Sequence, residues 1–213
     1  MYNLPYYKEH DQERINDFIR QYPFAFLSGC DLDNQPVATQ VPVFIEEKNG
    51  KKFLRGHIMG NTDHHKAFAQ NKHVLVVFTG RNTYVSGTWY SDPYIASTWN
   101  YMSVHVKGSI RFLDKPELEE ILRLTSLHFE DYDKTSTTFY DNLPIEFKTT
   151  ILKAIVAFEI EIVDISTVFK LSQDKDEKSY RNIINELKAR SYDAQVIASE
   201  MEKRFEELFG KSL

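Results

Sequence analysis

The stretch Lys48-Asn49-Gly50-Lys51 restricts the fold more than any other feature, because Asn-Gly between alternating segments is the strongest short-range signal for a β-hairpin. Apolar and polar residues alternate on both sides of it, over residues 37–46 and 53–58. A further turn at residues 31–35 joins the first of these segments to an apolar strand at residues 24–29. Residues 24–58 are therefore predicted to form an antiparallel meander of three strands.

The rest of the chain adds strands without a regular alternation of strand and helix. Further strands are predicted at residues 74–78, 101–112 and 154–165, and helices at residues 10–22, 62–71, 116–129 and 143–152, with two more within 179–209. Residues 79–98 are aromatic and rich in turn residues, which predicts a structured loop around a short strand near residues 84–86. This pattern favours a mainly β, α+β protein built on a small antiparallel barrel with peripheral and C-terminal helices.

Composition narrows the class of function. A length of 213 residues fits one compact domain or one domain with an appendage, and a net charge of -5 argues against a protein whose main function is to bind nucleic acid. The single cysteine, Cys30, cannot form an internal disulfide, which favours a reducing compartment. No apolar run approaches the roughly 20 residues that span a bilayer, so we expect a soluble, cytoplasmic protein with no membrane partner.

The densest polar cluster runs from Gly56 to Lys66, where a strand leads into a short helix. Free backbone N–H groups at a helix start favour a phosphate, to which Thr62 and Lys66 add a hydroxyl and a positive charge. A metal site at His57, His64 and His65 is a weaker interpretation, because adjacent histidines point to different faces of a helix. Exposed histidines on a solvated helix start are the structural alternative.

Three other clusters carry polar groups near aromatic or irregular segments. Residues 97–108 combine Trp99 and Asn100, which suit a flat heterocycle, although the aromatic residues can equally seal a barrel end. In residues 168–175, Lys170 and Ser172 are two residues apart on an extended segment, so their side chains are predicted to lie on the same side and to face one site. In residues 38–43, a proline inside a strand predicts an edge or bulge that leaves backbone groups free.

At these clusters the sequence resembles the PaiB-like family of FMN-binding negative transcriptional regulators, which are relatives of the pyridoxamine phosphate oxidase split barrels. The most specific motifs of this resemblance are Thr98-Trp99-Asn100-Tyr101 and Lys170-Leu171-Ser172-Gln173, and the resemblance spans nearly the whole chain. The resemblance implies an antiparallel split β-barrel of the FMN-binding type. It also implies a homodimer that holds FMN at the subunit interface, in two equivalent clefts lined from both subunits.

The resemblance also implies cofactor-binding residues. Strand residues Thr39, Gln40, Val41 and Pro42 meet the flavin ring or ribityl chain, His57 and Asn61 flank that chain, and Lys66 binds the phosphate. Trp99, Asn100 and Ser103 are the second subunit's contribution, while Lys170, Ser172 and Gln173 close the pocket. Family members commonly carry an Asn-Pro pair and an arginine where this chain has Thr62-Asp63 and Lys66. An arginine guanidinium can bind a phosphate through two parallel hydrogen bonds, whereas a lysine ammonium is a single compact charge, so this chain is expected to hold the phosphate more loosely.

The implied domains are a split-barrel FMN-binding domain at residues 1–175 and a C-terminal helical appendage, packed on the barrel, at residues 176–213. Three functions stay open: an FMN-dependent oxidoreductase with an unknown small-molecule substrate, a regulator acting through DNA or a protein partner without catalysis, and a haem-binding split barrel. Haem would use His57, His64 or His105 as an axial ligand. No nucleophile elbow or catalytic carboxylate pair is identifiable, so no catalytic residue is assigned.

Overall fold

The computed structural model describes residues 1–92 and 94–210, so the last three residues of the predicted appendage lie outside the described residues. Its strands are Phe24–Cys30 (β1), Pro36–Lys48 (β2), Lys51–Met59 (β3), His73–Val85 (β4), Thr98–Phe112 (β5) and Ile155–Lys170 (β6). Its helices are Gln12–Gln21 (α1), Asp63–Gln70 (α2), Lys115–Phe129 (α3), Ile145–Ala154 (α4), Glu177–Lys188 (α5), Tyr192–Lys203 (α6) and Phe205–Phe209 (α7).

The strands form one closed barrel in the order β1-β2-β3-β6-β5-β4. The pairs β1-β2, β1-β4, β2-β3 and β3-β6 are all antiparallel. At the β2-β3 turn, Asn49 and Gly50 both have positive φ, at 53° and 74°, and Lys48 lies opposite Lys51. These are the conformations that a two-residue hairpin turn requires, and they confirm the predicted hairpin. The strand order and the antiparallel pairings confirm the predicted antiparallel barrel.

The predicted loop at residues 79–98 is wrong at its start, because β4 continues through this region to Val85. Gly80 and Asn82 are typical turn residues, but both lie within the strand. A position in the barrel between β1 and β5 supplies ladder hydrogen bonds that outweigh the local preference. β5 begins at Thr98 and β6 ends at Lys170, so these strands also extend beyond their predicted limits.

The chain divides into two compact units. The central unit comprises Ile19–Phe78 and His105–Ile165, and the terminal unit comprises Met1–Phe18, Thr79–Val104 and Ser166–Leu213. The predicted division between residues 175 and 176 stays a prediction. Within the described residues, no helix is long and apolar enough to cross a membrane.

In the central unit, α3 and α4 pack on the start of β6. Leu118, Ile121 and Leu122 of α3 form a buried cluster with Tyr140, Ile155 and Ala157. Next to it, Arg55 of β3 is 1% exposed, and its guanidinium lies 3.2 Å from a carboxylate oxygen of Glu46 and 3.3 Å from one of Glu120. Paired carboxylates offset the cost of burying this charge, and the arrangement ties β2 and α3 to β3.

In the terminal unit, the C-terminal helices have their own buried core. Tyr180 and Ile183 of α5 pack with Ile197 and Met201 of α6, and all four side chains are buried. The Tyr180 hydroxyl donates a hydrogen bond to the Met201 carbonyl at 3.0 Å. The predicted pair of C-terminal helices is confirmed, with α7 as a third short one.

Candidate functional site

Strand β2 changes partners along its length. Residues Pro36–Lys48 pair with β1 as far as Pro42, and they pair with β3 only from Val43 onward. The segment before Val43 therefore has an edge that is not paired with β3. Pro42 lies where the pairing changes, which confirms the prediction that this proline is at an edge, since proline has no N–H to donate to a ladder.

The predicted flavin strand is this edge segment. Val41 is buried, Thr39 and Pro42 are half-buried, and Gln40 is exposed, as the predicted alternation requires. Backbone groups along an unpaired edge need hydrogen-bond partners from another molecule, from water or from another chain. A ligand with donors and acceptors on its rim can supply them.

His57 is the first residue of β3 beyond its pairing with β2. It pairs with Ala157 of β6, and its imidazole is half-buried. Its Nδ1 atom is buried and has no hydrogen-bond partner among the described residues. Burial lowers the pKa of His57, so the ring is held neutral. A buried polar atom without a partner indicates a place where a ligand group or a second chain completes the structure.

The turn from β3 into α2 is held by its own side chains. Asn61 adopts a left-handed conformation with φ of 61°, and its N–H donates to His65 Nδ1 at 3.1 Å. Thr62 is the N-cap: its hydroxyl accepts from the His65 N–H at 3.3 Å and donates to the Met59 carbonyl at 3.1 Å. The predicted helix start at Thr62 or Asp63 is confirmed.

The helix start offers fewer free N–H groups than the sequence led us to expect. The Asp63 carboxylate accepts a hydrogen bond from the His64 N–H at 2.7 Å and lies 3.0 Å from His64 Nδ1. These two contacts with His64 lower the pKa of Asp63. A carboxylate at this position already satisfies the positive end of the helix dipole. Lys66 is exposed and has no ion-pair partner among the described residues, so it is the group left to meet a phosphate.

In the terminal unit, Asn100, Ser172 and Lys170 are buried and make two neighbouring sets of hydrogen bonds at the start of β5. The Ser172 hydroxyl donates to Asn100 Oδ1 at 3.0 Å, and Asn100 Nδ2 contacts the Met201 sulfur at 3.5 Å. Lys170 Nζ donates to the Trp99 carbonyl at 2.9 Å and to the Thr98 hydroxyl. Lys170 and Ser172 both line one cavity, and that they contact a flavin stays a prediction.

Gln173 and Ser172 shape the turn after β6. Gln173 Oε1 accepts from the Leu171 N–H at 2.7 Å, and its Nε2 donates to the Phe169 carbonyl at 2.5 Å. Ser172 has a φ of 64°, which ends the extended segment. The Gln173 amide is thus used within its own turn.

Trp99 and Ser103 differ in exposure although both lie on β5. Ser103 is buried, whereas Trp99 is 54% exposed and lies edge-on to Tyr84 with ring centroids 6.0 Å apart. An exposed aromatic pair of this kind suits contact with a ligand or a second chain.

The thirteen predicted site residues fall into two groups. The central unit contains Thr39, Gln40, Val41, Pro42, His57, Asn61 and Lys66, and the terminal unit contains Trp99, Asn100, Ser103, Lys170, Ser172 and Gln173. That both groups contact one flavin stays a prediction.

Sequence reasoning missed several residues that line the cavity around Lys170. They are Tyr7, Tyr90, Thr98 and Asp174. Thr98 belongs to a motif that carries the family resemblance, which was the available signal, and Tyr90 lies in the aromatic segment at residues 79–98. Tyr7 carries no motif, and only the fold brings it to this cavity.

A larger groove of about 850 Å³ lies in the central unit and is mostly apolar. Ser28, Pro36, Ala38, Leu75 and Lys107 are among its lining residues, and none of the thirteen predicted site residues lines it. Among the described residues there is no group of three or more His, Cys, Asp or Glu side chains that could hold a metal ion.

Comparisons with known proteins bear on the family and the fold. The family model described as "Putative FMN-binding domain" matches residues 1–164. The chain is 32% identical over 187 residues to the Protease synthase and sporulation protein PAI 2 of Bacillus subtilis strain 168, which covers 88% of this chain and 89% of that protein. Lys170, Ser172 and Gln173 lie beyond the residues that the family model matches.

Two solved structures share the fold at low sequence identity. One is described as a putative 5-nitroimidazole antibiotic resistance protein from Bacteroides thetaiotaomicron, with a TM-score of 0.54, 15% identity and coverage of 75% of this chain and 84% of that one. The other is an FAD- and haem-binding protein from Mycobacterium smegmatis, with a TM-score of 0.54, 17% identity and coverage of 77% and 73%.

A matching family model over most of the chain and a full-length relative at this identity show the family. The chain therefore belongs to the PaiB-like family of FMN-binding proteins, whose cofactor is FMN.

Proposed function

We propose that the protein is a cytoplasmic homodimeric flavoprotein that holds FMN along the free edge of β2 and the segment from His57 to Lys66. In this proposal the partner subunit supplies the Trp99, Asn100 and Ser103 wall. Lys170, Ser172 and Gln173 close the pocket. The domain boundary that goes with it follows residue 175, and the C-terminal helices pack on the barrel as an appendage.

One observation carries the proposal: the strand edge at Thr39–Pro42 is not paired with β3, and the unpartnered Nδ1 of His57 lies at the point where β2 and β3 separate. Backbone groups and buried ring nitrogens without partners are costly in a folded protein. A flavin ring carries donors and acceptors along one rim, and it would satisfy groups of this kind.

Lys66 is the proposed phosphate contact. It is exposed on the first turns of α2 and is not neutralised by a carboxylate among the described residues. Asp63 lies three residues earlier and holds its own hydrogen bonds, so it limits how closely a phosphate approaches the helix start. Binding at this end thus depends mainly on one lysine, which predicts a cofactor that dissociates more readily than one held by arginine forks.

FMN supplies electron and hydride transfer when it is bound, and the protein supplies binding and orientation. The neutral state of His57, held by burial, makes its imidazole a hydrogen-bond partner without a positive charge. We propose a flavin-dependent redox or flavin-sensing role. The name of the Bacillus relative links that protein to protease synthesis and sporulation, so we extend the proposal to negative regulation through a protein partner rather than through DNA, given the net charge of -5.

The test is FMN titration of the purified protein followed by absorbance and flavin fluorescence. We expect saturable binding, and we expect Lys66→Ala to weaken it by about 1 to 3 kcal/mol, the range for a lost charge-assisted contact. Lys72→Ala is the matched control, because Lys72 is an exposed lysine just beyond the other end of α2.

Failure of the wild-type protein to bind added FMN would sink the proposal. A Soret band in the purified protein would support haem instead. Equal losses for the Lys66 and Lys72 variants would show that the phosphate is held elsewhere.

A further inference from the structure

A cavity of about 240 Å³ lies within the terminal unit. Its walls come from the N-terminal segment, the loop before β5, the start of β5 and the turn after β6. The residues that carry the argument are Tyr7, Tyr90, Lys170, Asp174 and Lys175. A volume below the roughly 300 Å³ at which ordinary ligand pockets begin restricts the occupant to a small molecule.

Lys170 brings a positive charge to this cavity. Its side chain is 7% exposed, and its ammonium donates to the Thr98 hydroxyl and the Trp99 carbonyl. An ammonium has three N–H donors, so one remains. Among the described residues no carboxylate lies within ion-pair distance of Lys170, and burial lowers the pKa of its ammonium. A buried charge of this kind is costly unless a counter-charge is present.

The other charges at the cavity cancel each other. Lys175 Nζ lies 2.8 Å from a carboxylate oxygen of Asp174, which also accepts a hydrogen bond from the Tyr7 hydroxyl at 3.1 Å. The charge left over is therefore the single positive charge of Lys170. A monoanion would neutralise it, whereas a dianion such as a phosphate monoester would place excess negative charge beside Asp174.

Tyr90 adds a polar group and an aromatic face. The residue is 7% exposed, and its hydroxyl is buried without a hydrogen-bond partner among the described residues. The rings of Tyr2 and Tyr7 lie at the same cavity. Aromatic walls with one leftover hydroxyl suit a ligand that has an apolar or aromatic body and one polar end.

We propose that this cavity binds a small monocarboxylate with an apolar or aromatic body, whose carboxylate pairs with Lys170. The site does not depend on the FMN contacts proposed on β2 and α2. The proposed function also places Lys170 and Ser172 at the closing side of the flavin pocket, so the carboxylate would bind beside FMN and not in its place. If the flavin function holds, a site of this kind selects an acidic small molecule as substrate or effector.

Benzoate is the probe and benzamide is its neutral control of equal shape, with binding measured by titration calorimetry on FMN-free and FMN-saturated protein. We expect saturable benzoate binding in both states and at least about tenfold weaker binding of benzamide. Lys170→Met should reduce benzoate affinity at least about tenfold without changing benzamide binding, and Tyr90→Phe should reduce it about threefold or more. Lys188→Met, at an exposed lysine of α5, should leave both affinities unchanged.

Equal binding of benzoate and benzamide to the wild-type protein, or no saturable binding of either, would overturn the proposal without any variant. Displacement of benzoate by FMN would also overturn it, because the cofactor and the carboxylate would then compete for the same space. Benzoate binding in a protein that fails to bind FMN would reject the flavin function alone and leave this site standing.

Discussion

His57 shows how the exposure of one side chain determines its charge. Its ring is half-buried in β3, its Nδ1 has no partner among the described residues, and burial lowers the pKa of His57 below the ordinary value of about 6.5. The folded protein therefore resists protonation of this ring, whereas the unfolded chain does not. Burial also lowers the pKa of His65 and of His105.

This difference predicts a loss of stability in mild acid. As the pH falls through about 6.5, the unfolded chain takes up protons that the folded chain refuses, so the free energy of unfolding falls with pH until the lowered folded pKa values are reached. We expect His57→Gln to reduce the difference in free energy of unfolding between pH 7.5 and pH 5.5, measured by urea denaturation.

The His57→Gln variant should reduce this dependence rather than abolish it, because His65 and His105 contribute with the same sign. Replacement of Gln70, an exposed residue that does not titrate, is the control and should leave the slope unchanged. An identical pH dependence in the wild-type protein and the His57 variant would contradict the assignment.

At the scale of elements, the close approach of β3 to Pro42 of β2 depends on Gly56. A Cβ atom at this position would lie 2.8 Å from the Pro42 carbonyl oxygen and 2.9 Å from the Phe158 ring. Real Cβ atoms do not approach backbone so closely, and the strand edge would have to shift. The same glycine thus holds the predicted flavin strand close to β3.

We expect Gly56→Ala to lower the free energy of unfolding by about 1 to 3 kcal/mol, the usual range for overpacking, and to weaken FMN binding through displacement of Pro42. Met59→Ala, at a position of β3 that is 56% exposed, should change stability by less than about 0.5 kcal/mol. Denaturation and FMN titration of both variants check this. Full stability in the Gly56 variant would mean that β2 has room to move.

At the scale of the whole molecule, the proposed homodimer makes a prediction about mixed subunits. If each cleft takes Lys66 from one subunit and Trp99 from the other, Lys66→Ala and Trp99→Ala homodimers have two damaged clefts each. A mixed dimer then has one intact cleft and one doubly damaged cleft. Random exchange of equal amounts should restore about a quarter of the wild-type number of intact clefts.

FMN titration before and after subunit exchange measures this recovery, and sedimentation checks that both variants are dimers. Recovery requires a cleft shared between subunits, since no other arrangement rebuilds an intact site from two damaged ones. No recovery in a mixture that has exchanged subunits would place both residues in the same subunit's site or outside the site.

Local signals in the sequence determined the hairpin at Asn49-Gly50, the cap of α2 at Thr62 and the edge position of Pro42, because each depends on the conformational limits of one or two residues. The continuation of β4 through Gly80 was not predictable in this way. Ladder hydrogen bonds in the barrel decide it, and they come from strands distant in the sequence.

The candidate site likewise has features that the sequence determined and features that only the tertiary structure decided. The sequence by itself determined which residue types are available, including the lysine after the helix cap and the words that identify the family. Only the tertiary structure decided that Tyr7 reaches the cavity around Lys170, and that Lys170 is buried without a carboxylate partner among the described residues. Hydrogen-bond partners and burial depend on neighbours that folding brings together, and these neighbours determine whether a polar group is left for a ligand.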